Sequence, residues 1–260
     1  MNSARVRACR ARFAAGEPVV AQSAAVSAWL RSSNFNPRPV IKTDGRALTL
    51  DLSAASGSLG PNLQQLDVHG LSRLIDRAMR AQGTEFAFGR WGEHRALYNS
   101  EHFSAGGTES RTVHMGIDLF CPALTAVYAP LDGRVEIVAN NARELDYGPL
   151  LVLRHRAPGG AGFFTLYGHL DLAGVQALAP GQQVTAGEHI ADIGSPPGNG
   201  NWPPHLHFQV ILDLLDLGAD FPGVAYRSQQ AFWLAMSPHP APFFPEADAV
   251  MLDGRPGAAV

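Results

Sequence analysis

Two histidines stand two residues apart in the stretch PPHLHFQV, residues 203–210. In a β-strand, residues i and i+2 point to the same face, so His205 and His207 would share one face while Leu206 and Phe208 share the other. This alternation favours a strand over a helix. Two imidazoles on one face can bind one metal ion, or one can bind while the other transfers a proton. Ten histidines in 260 residues also allow a chance pair, so the interpretation needs further partners.

A second pair of polar residues lies in the stretch HMGID. His114 and Asp118 are four residues apart and would share a face in a strand or in a helix. Imidazole and carboxylate both bind zinc, and adding one histidine of the HLH pair gives three protein ligands with a fourth position left for water. That arrangement is typical of a catalytic zinc, which polarises a carbonyl and lowers the pKa of its water toward about 7. A loop histidine and a turn aspartate would explain each residue alone, but not their occurrence together with HLH.

A zinc hydrolase also needs a group that carries protons. The HExxH motif of helical zinc proteases supplies a glutamate, but no histidine in this sequence is followed by glutamate, which excludes that mechanism. The remaining candidates are the spare histidine of the HLH pair and His169. The latter follows an apolar run at residues 163–167, and we therefore expect it at the end of a strand.

The order HMGID, YGHL, HLHF resembles the zinc metallopeptidases of the lysostaphin type, family M23, whose motifs read HxxxD, Y-A/G-H-L and HxH. The stretches GIDLFCPALTAVYAPLDGRVEIV and LAPGQQVTAGEHIADIG are also similar to this family, and the resemblance covers about residues 111–212. It implies that Zn²⁺ is held by His114, Asp118 and His207. It further implies that His169 and His205 are catalytic and act on the attacking water or the oxyanion.

The activity implied by the resemblance is that of a zinc metalloendopeptidase acting on Gly- or D-amino-acid-containing, peptidoglycan-like peptides. The chain departs from the family at the HxH motif, where GNGNWPPHLHFQ stands in place of the usual S/T-G-P-H-L-H-F-E. Asn201 and Trp202 could narrow the substrate groove, although a tryptophan beside prolines is often an ordinary packing residue. Gln209 replaces a glutamate beside a ligand, where its neutrality could alter the orientation of that ligand.

The flanking sequence, from TLDLSAASGSLG through ALYNSEHF to SPHP, resembles the M23-type segment of fusion proteins that contain kinase-like phosphotransferase and class III aminotransferase domains. That resemblance implies fused or associated domains of these kinds. It also supplies an alternative function, a non-catalytic binding or scaffold module within a larger enzyme. A lipoyl or biotinyl carrier is excluded, because such carriers need a hairpin lysine and Lys42, the single lysine, lies outside the β-rich segment.

These residues need a mainly β fold to position them, and we predict an antiparallel β-sandwich or hybrid-type module with helical and irregular flanks. The predicted divisions are an N-terminal flank at 1–110, the β peptidase domain at 111–212, and a C-terminal helix and Pro-rich tail at 213–260. Within the flanks, the patterns predict helices over 4–14, 23–31, 71–79 and 226–235, a strand over 47–52, a loop over 53–60 and an extended strap from residue 237.

The apolar groups of the flanks cannot form a core of their own, so we expect both flanks to pack on the β module, with the Arg-rich first fifteen residues loosely held. A net charge of −3 does not favour a nucleic-acid partner. No apolar run is long enough to predict a membrane span, and none follows the early arginines as a secretory signal would require, so the sequence favours a cytoplasmic location. Cys9 and Cys121 offer neither a disulfide framework nor a CxxC zinc site.

Overall fold

The computed structural model describes residues 3–43, 46–53, 67–95, 109–245, 247 and 249–255. The predicted loop over 53–60 lies, beyond Ser53, outside these residues. Within them the strands are β1 (Leu48–Leu50), β2 (Ala87–Gly89), β3 (Arg111–His114), β4 (Ile117–Phe120), β5 (Ala126–Tyr128), β6 (Gly133–Asn141), β7 (Gly148–Arg156), β8 (Gly162–Gly168), β9 (Gln183–Val184), β10 (His189–Asp192), β11 (His205–Ile211) and β12 (Val224–Tyr226). The α-helices are α1 (Ala4–Ala14), α2 (Ser23–Leu30), α3 (Val68–Ala81), α4 (Leu172–Gln176) and α5 (Gln230–Met236).

The predicted mainly β fold is confirmed, and most of it is one large sheet with the strand order β1-β2-β4-β11-β8-β7-β6-β9. Strands β1 and β2 are parallel, whereas the other neighbours in this sheet are antiparallel. Two smaller pairs, β5 with β10 and β3 with β12, lie beside it. Strand β11 has a hydrogen-bonded neighbour on each edge, and all seven of its residues, including both histidines of HLH, are buried.

The N-terminal flank continues the main sheet beyond β4. Strand β1 lies within the strand predicted over 47–52. Strand β2 falls in the stretch 86–98, where the sequence pattern predicts no strand. All three β2 residues are buried, so they do not alternate between apolar and polar types. Helix α3 contains the predicted helix 71–79 and begins where Asp67 accepts a hydrogen bond from the Gly70 amide at 2.7 Å. Its apolar face packs on β1, β2 and the end of β4 in a second hydrophobic cluster.

Helices α1 and α2 are held against the main core. The predicted helix over 4–14 is confirmed at Ala4–Ala14, and the one over 23–31 at Ser23–Leu30. The expectation that the first fifteen residues are loosely held is wrong, because Val6 is 1% exposed within the core and Arg5 forms an ion pair with Asp213. Phe13 of the same helix also packs on Phe232 of α5, with ring centroids 5.9 Å apart.

The C-terminal flank also differs in detail from its sequence pattern. The helix predicted over 226–235 begins only at Gln230, because Val224–Tyr226 pairs with β3 and a 3₁₀ turn follows. The predicted extended strap is wrong at Ala241–Phe243, which is a 3₁₀ turn. This turn lets Phe243 and Phe244 pack on Phe208 of β11.

Across the residues that the structure describes, no helix combines the length and the apolar character that a membrane crossing requires. Both flanks contribute buried residues to the main hydrophobic cluster. The domain bounds at residues 110 and 212 stay a prediction.

Candidate metal centre

Strand pairing brings the three predicted metal ligands together. On adjacent antiparallel strands, Asp118 of β4 stands directly opposite His207 of β11. His114 ends β3, and the chain turns through Met115 and Gly116 into β4. A Cβ atom on Gly116 would lie 2.7 Å from the His207 ring, so only glycine allows this close approach of the turn to β11.

The three donor atoms form a nearly equilateral triangle. His114 Nε2 and His207 Nδ1 each lie 3.1 Å from Asp118 Oδ1, and the two nitrogens lie 3.0 Å apart. Bonds of 2.0–2.1 Å in a tetrahedral zinc site place neighbouring donors about 3.3 Å apart. All three residues are buried, with at most 4% of their surface exposed. The triangle therefore has the size and burial of a site for one small cation.

The hydrogen bonds on the far side of each imidazole assign its tautomer. His114 Nδ1 lies 2.9 Å from the Arg90 carbonyl, which can only accept, so Nδ1 donates and Nε2 carries a lone pair. Gln209 donates its amide NH₂ to the Pro222 carbonyl at 3.2 Å, so its oxygen faces His207 Nε2 at 3.0 Å. His207 therefore donates from Nε2, and its Nδ1 also carries a lone pair.

Two imidazole lone pairs and a carboxylate oxygen thus converge with no proton between them. Such a contact is repulsive by itself and becomes favourable around a cation, so this donor set fits a metal ion. Burial, followed by the nearby Arg95, lowers the pKa of His114 to about 4. Burial alone would raise the pKa of Asp118, but His114 and Arg95 hold it well below its usual value. At neutral pH both residues are in their metal-binding protonation states.

The two predicted catalytic histidines lie beside this triangle. His169 follows β8 in a left-handed backbone conformation, with φ of 63°, and its ring centroid is 4.3 Å from that of His205. Each ring donates from Nδ1 to a backbone carbonyl, that of Asn199 at 2.9 Å and that of Pro203 at 2.6 Å, respectively. Each Nε2 is therefore a proton acceptor, and that of His205 is 3.7 Å from Asp118 Oδ1. Burial lowers the pKa of both histidines, which favours the neutral imidazoles.

The fold thus brings all five predicted site residues together, while their roles stay predictions. Three charged residues that we did not predict, Arg90, Glu93 and Arg95, extend the site. Arg95 donates to Asp118 Oδ2 at 2.5 Å and to Glu93 at 3.0 Å, and Arg90 donates to Glu93 at 2.8 Å. The signal in the sequence was the presence of three charges within an otherwise apolar, glycine-rich stretch, FAFGRWGEHR, residues 86–95.

A cleft of about 270 Å³ opens onto the metal triangle and the two neighbouring histidines. Trp202 lines this cleft with its ring centroid 6.2 Å from that of His169, so it lies where the predicted groove role requires. Asn201 is placed differently, because its amide donates to Glu144. The N-terminal flank contributes Leu52 and Leu71 to the lining.

Comparison with known proteins identifies the central segment. Residues 112–215 match the sequence model of Peptidase family M23, so this segment of the chain is similar to that family. An uncharacterized lipoprotein of Escherichia coli, YgeR, is 36% identical over 95 residues, which are 36% of this chain and 33% of that protein. An uncharacterized metalloprotease of Haemophilus influenzae is 38% identical over 100 residues, which are 38% of this chain and 19% of that protein.

Among solved structures, a zinc-containing peptidase from Vibrio cholerae is 31% identical, with a TM-score of 0.30 over 42% of this chain and 30% of the other. The matched part of this chain therefore spans a third or less of each of these three relatives. The family match and the metalloprotease relative support a peptidase, and they do not favour the scaffold alternative. The predicted M23 resemblance is confirmed for this segment, whereas the resemblance to the fusion proteins stays a prediction.

Proposed function

We propose that this chain is a zinc-dependent endopeptidase that hydrolyses an amide bond in Gly- or D-amino-acid-containing, peptidoglycan-like peptides. The observation that carries the proposal is the convergence of three unprotonated acceptors, from His114, Asp118 and His207, within 3.1 Å of one another. When bound, zinc supplies a Lewis acid for the scissile carbonyl and for the attacking water.

The remaining chemistry falls to two histidines with free Nε2 acceptors. One of the pair, His169 or His205, accepts the proton of the attacking water at Nε2, and that same proton is then donated, directly or through Nε2 of the other ring, to the developing oxyanion or the leaving amine. Their neutral state at rest suits the first of these steps. Burial of both rings strengthens each charge interaction, because little water is present to screen it.

The shape of the cleft supports a substrate with small residues at the cleaved bond. Trp202 lies beside both catalytic candidates, with ring centroids 6.2 Å from His169 and 6.4 Å from His205. A bulky side chain on the substrate would compete with this indole for space. Glycine and small D-residues avoid that conflict, as in peptidoglycan cross-links.

Metal analysis of the purified protein, followed by digestion of peptidoglycan and of pentaglycine, tests this proposal. We expect about one zinc per chain, lost in His114→Ala, Asp118→Ala and His207→Ala, because two remaining ligands cannot compete for metal. His189→Ala is the matched control, since this exposed histidine does not line the cleft and its side chain contacts Asp192 and the Tyr128 ring. Zinc retained in all three ligand variants would contradict the assignment.

The scaffold alternative predicts a different result in the same experiment, namely bound zinc with no cleavage of either substrate. Association with kinase-like and aminotransferase domains, and a cytoplasmic location, stay predictions, since the two curated relatives match only 36% and 38% of this chain.

A further inference from the structure

The segment 90–95 lies outside the M23-matched residues, yet it runs antiparallel beside β3. The Gly92 amide donates to the His114 carbonyl at 2.7 Å, the His114 amide to the Glu93 carbonyl at 2.9 Å, and the Arg95 amide to the Thr112 carbonyl at 2.9 Å. This pairing places the segment directly behind two of the three predicted ligands.

Both of these predicted ligands form an orienting hydrogen bond with the segment. The Arg90 carbonyl accepts from His114 Nδ1, and the Arg95 guanidinium donates to the outer carboxylate oxygen of Asp118. Because Oδ2 is held in this way, Oδ1 is the oxygen turned toward the two imidazoles. Ligands that are oriented by such outer contacts bind metal more tightly than ligands that are free to rotate.

Arg95 is itself fixed in place. Its side chain is 3% exposed, and its Nε donates to Glu93, whose side chain is fully buried. Glu93 also accepts from Arg90 and from the Leu52 amide at 3.0 Å. Charges therefore alternate in sign from Arg90 through Glu93 and Arg95 to Asp118, and the guanidinium separates two buried carboxylates.

We propose that Arg95, contributed by the N-terminal flank, is a positioning residue of the metal centre that holds Asp118 as a ligand through one oxygen only. The inference rests on the proposed function and adds to it that the flank is part of the metal site. The planar geometry of the Arg95 guanidinium matters as much as its charge, because Nε donates to Glu93 while Nη1 donates to Asp118.

Zinc affinity, measured by competition with a chromogenic chelator, and the visible spectrum of the Co²⁺-substituted protein test the inference. We expect Arg95→Gln to bind zinc about 10–100-fold more weakly and to alter the Co²⁺ spectrum, since Asp118 can then rotate or bind through both oxygens. Arg95→Lys should show an intermediate loss of zinc affinity, because lysine keeps the positive charge but lacks the planar group that donates to both carboxylates. Arg5→Gln, which removes a flank-to-core ion pair far from the site, should bind like the parent.

The proposed function and the proposed role of Arg95 are contradicted by different results. If the parent protein binds no zinc, the proposed function is wrong. If the parent binds zinc and a folded Arg95→Gln protein shows the parent affinity and Co²⁺ spectrum, the role of Arg95 is wrong. Should the glutamine variant not fold, Arg95→Lys decides, because a folded lysine variant with parent affinity and spectrum would equally overturn the inference.

Discussion

At the scale of single residues, each histidine is anchored by a hydrogen bond from the ring nitrogen that points away from the site. That bond decides whether the other nitrogen, which faces the site, carries a lone pair or a proton. Backbone carbonyls bind Nδ1 of His114, His169 and His205, so these rings present Nε2 to the site. His207 is the exception, because Gln209 binds its Nε2 and leaves Nδ1 for the metal. The two predicted histidine ligands, His114 and His207, thus present different nitrogens to the site, whereas His114 shares its anchored Nδ1 with both predicted catalytic histidines.

The predicted catalytic histidines can be distinguished from the predicted ligands by mutation. His169→Ala and His205→Ala should each keep about one zinc per chain but lose roughly 10²–10⁴-fold in turnover, because they act on protons and developing charge. Metal analysis and peptide cleavage on the same preparations measure both quantities. Loss of zinc in the His205 variant would require the roles within HLH to be exchanged.

Gln209 explains one departure from the family pattern, and its replacement gives a second prediction. Its NH₂ group donates to the Pro222 carbonyl and to Ser237 Oγ, and its side chain is fully buried. In Gln209→Glu, a carboxylate oxygen would face that carbonyl with no proton to donate. We expect a loss of about 1–3 kcal/mol in the free energy of unfolding, measured with denaturant at neutral pH.

The control for this change is Gln182→Glu, an exposed position where the side-chain oxygen accepts from the Ala179 amide and a carboxylate can replace it. Equal stability of Gln209→Glu and the parent would show that the amide orientation does not matter.

At the scale of elements, the site depends on how closely the turn between β3 and β4 approaches β11. A Cβ on Gly116 would lie 2.7 Å from both the His207 ring and the Phe208 carbonyl. Neither is the free end of a flexible side chain, so the turn or the ligand must move. The spacing of the donor atoms is therefore a property of this turn as well as of the ligands.

Gly116→Ala should consequently weaken zinc binding by roughly 10–100-fold, the range found when ligand orientation is disturbed. Gly162→Ala is the matched control, because a Cβ there meets its nearest neighbour at 3.8 Å. Chelator competition on both variants measures the difference. Parent-like affinity in the Gly116 variant would mean that the turn relaxes without moving His207.

At the scale of the whole molecule, buried neutral groups set the response to acid. His155 lies between the Asp132 carbonyl and the Thr165 hydroxyl, and burial lowers its pKa from 6.5 to about 4. Below pH 6.5 the unfolded chain therefore takes up a proton that the folded protein does not bind. The stability that this group contributes is complete above pH 6.5 and is lost as the pH falls toward 4.

We expect the free energy of unfolding to fall by up to about 1.4 kcal/mol per pH unit from this residue alone between these limits. His155→Gln should reduce that slope, whereas above pH 7 its stability should differ from the parent by a constant amount. Denaturant titrations across the pH range measure both. An unchanged slope in the variant would exclude His155 as the source.

The sequence by itself determined the elements of the site that depend on local pattern. The HLH alternation predicted a strand with both histidines on one face, and the spacing of α3 predicted its apolar side. The three motifs in order resemble Peptidase family M23, and that resemblance implied which five residues meet. The strand, the apolar helix face and the motifs can be predicted from the sequence because residues close together along the chain specify them.

Only the tertiary structure decided what surrounds those residues. The contact between Arg95 and Asp118, the carbonyl that orients Gln209, and the role of β2 as a neighbour of β4 all join positions that no local period connects. Buried charges become visible as partners only when the fold brings them together, since burial and pairing are properties of position in space. For that reason the sequence identified the predicted ligands by their motifs, and the folded chain supplied the hydrogen bonds that turn their acceptor atoms toward one another.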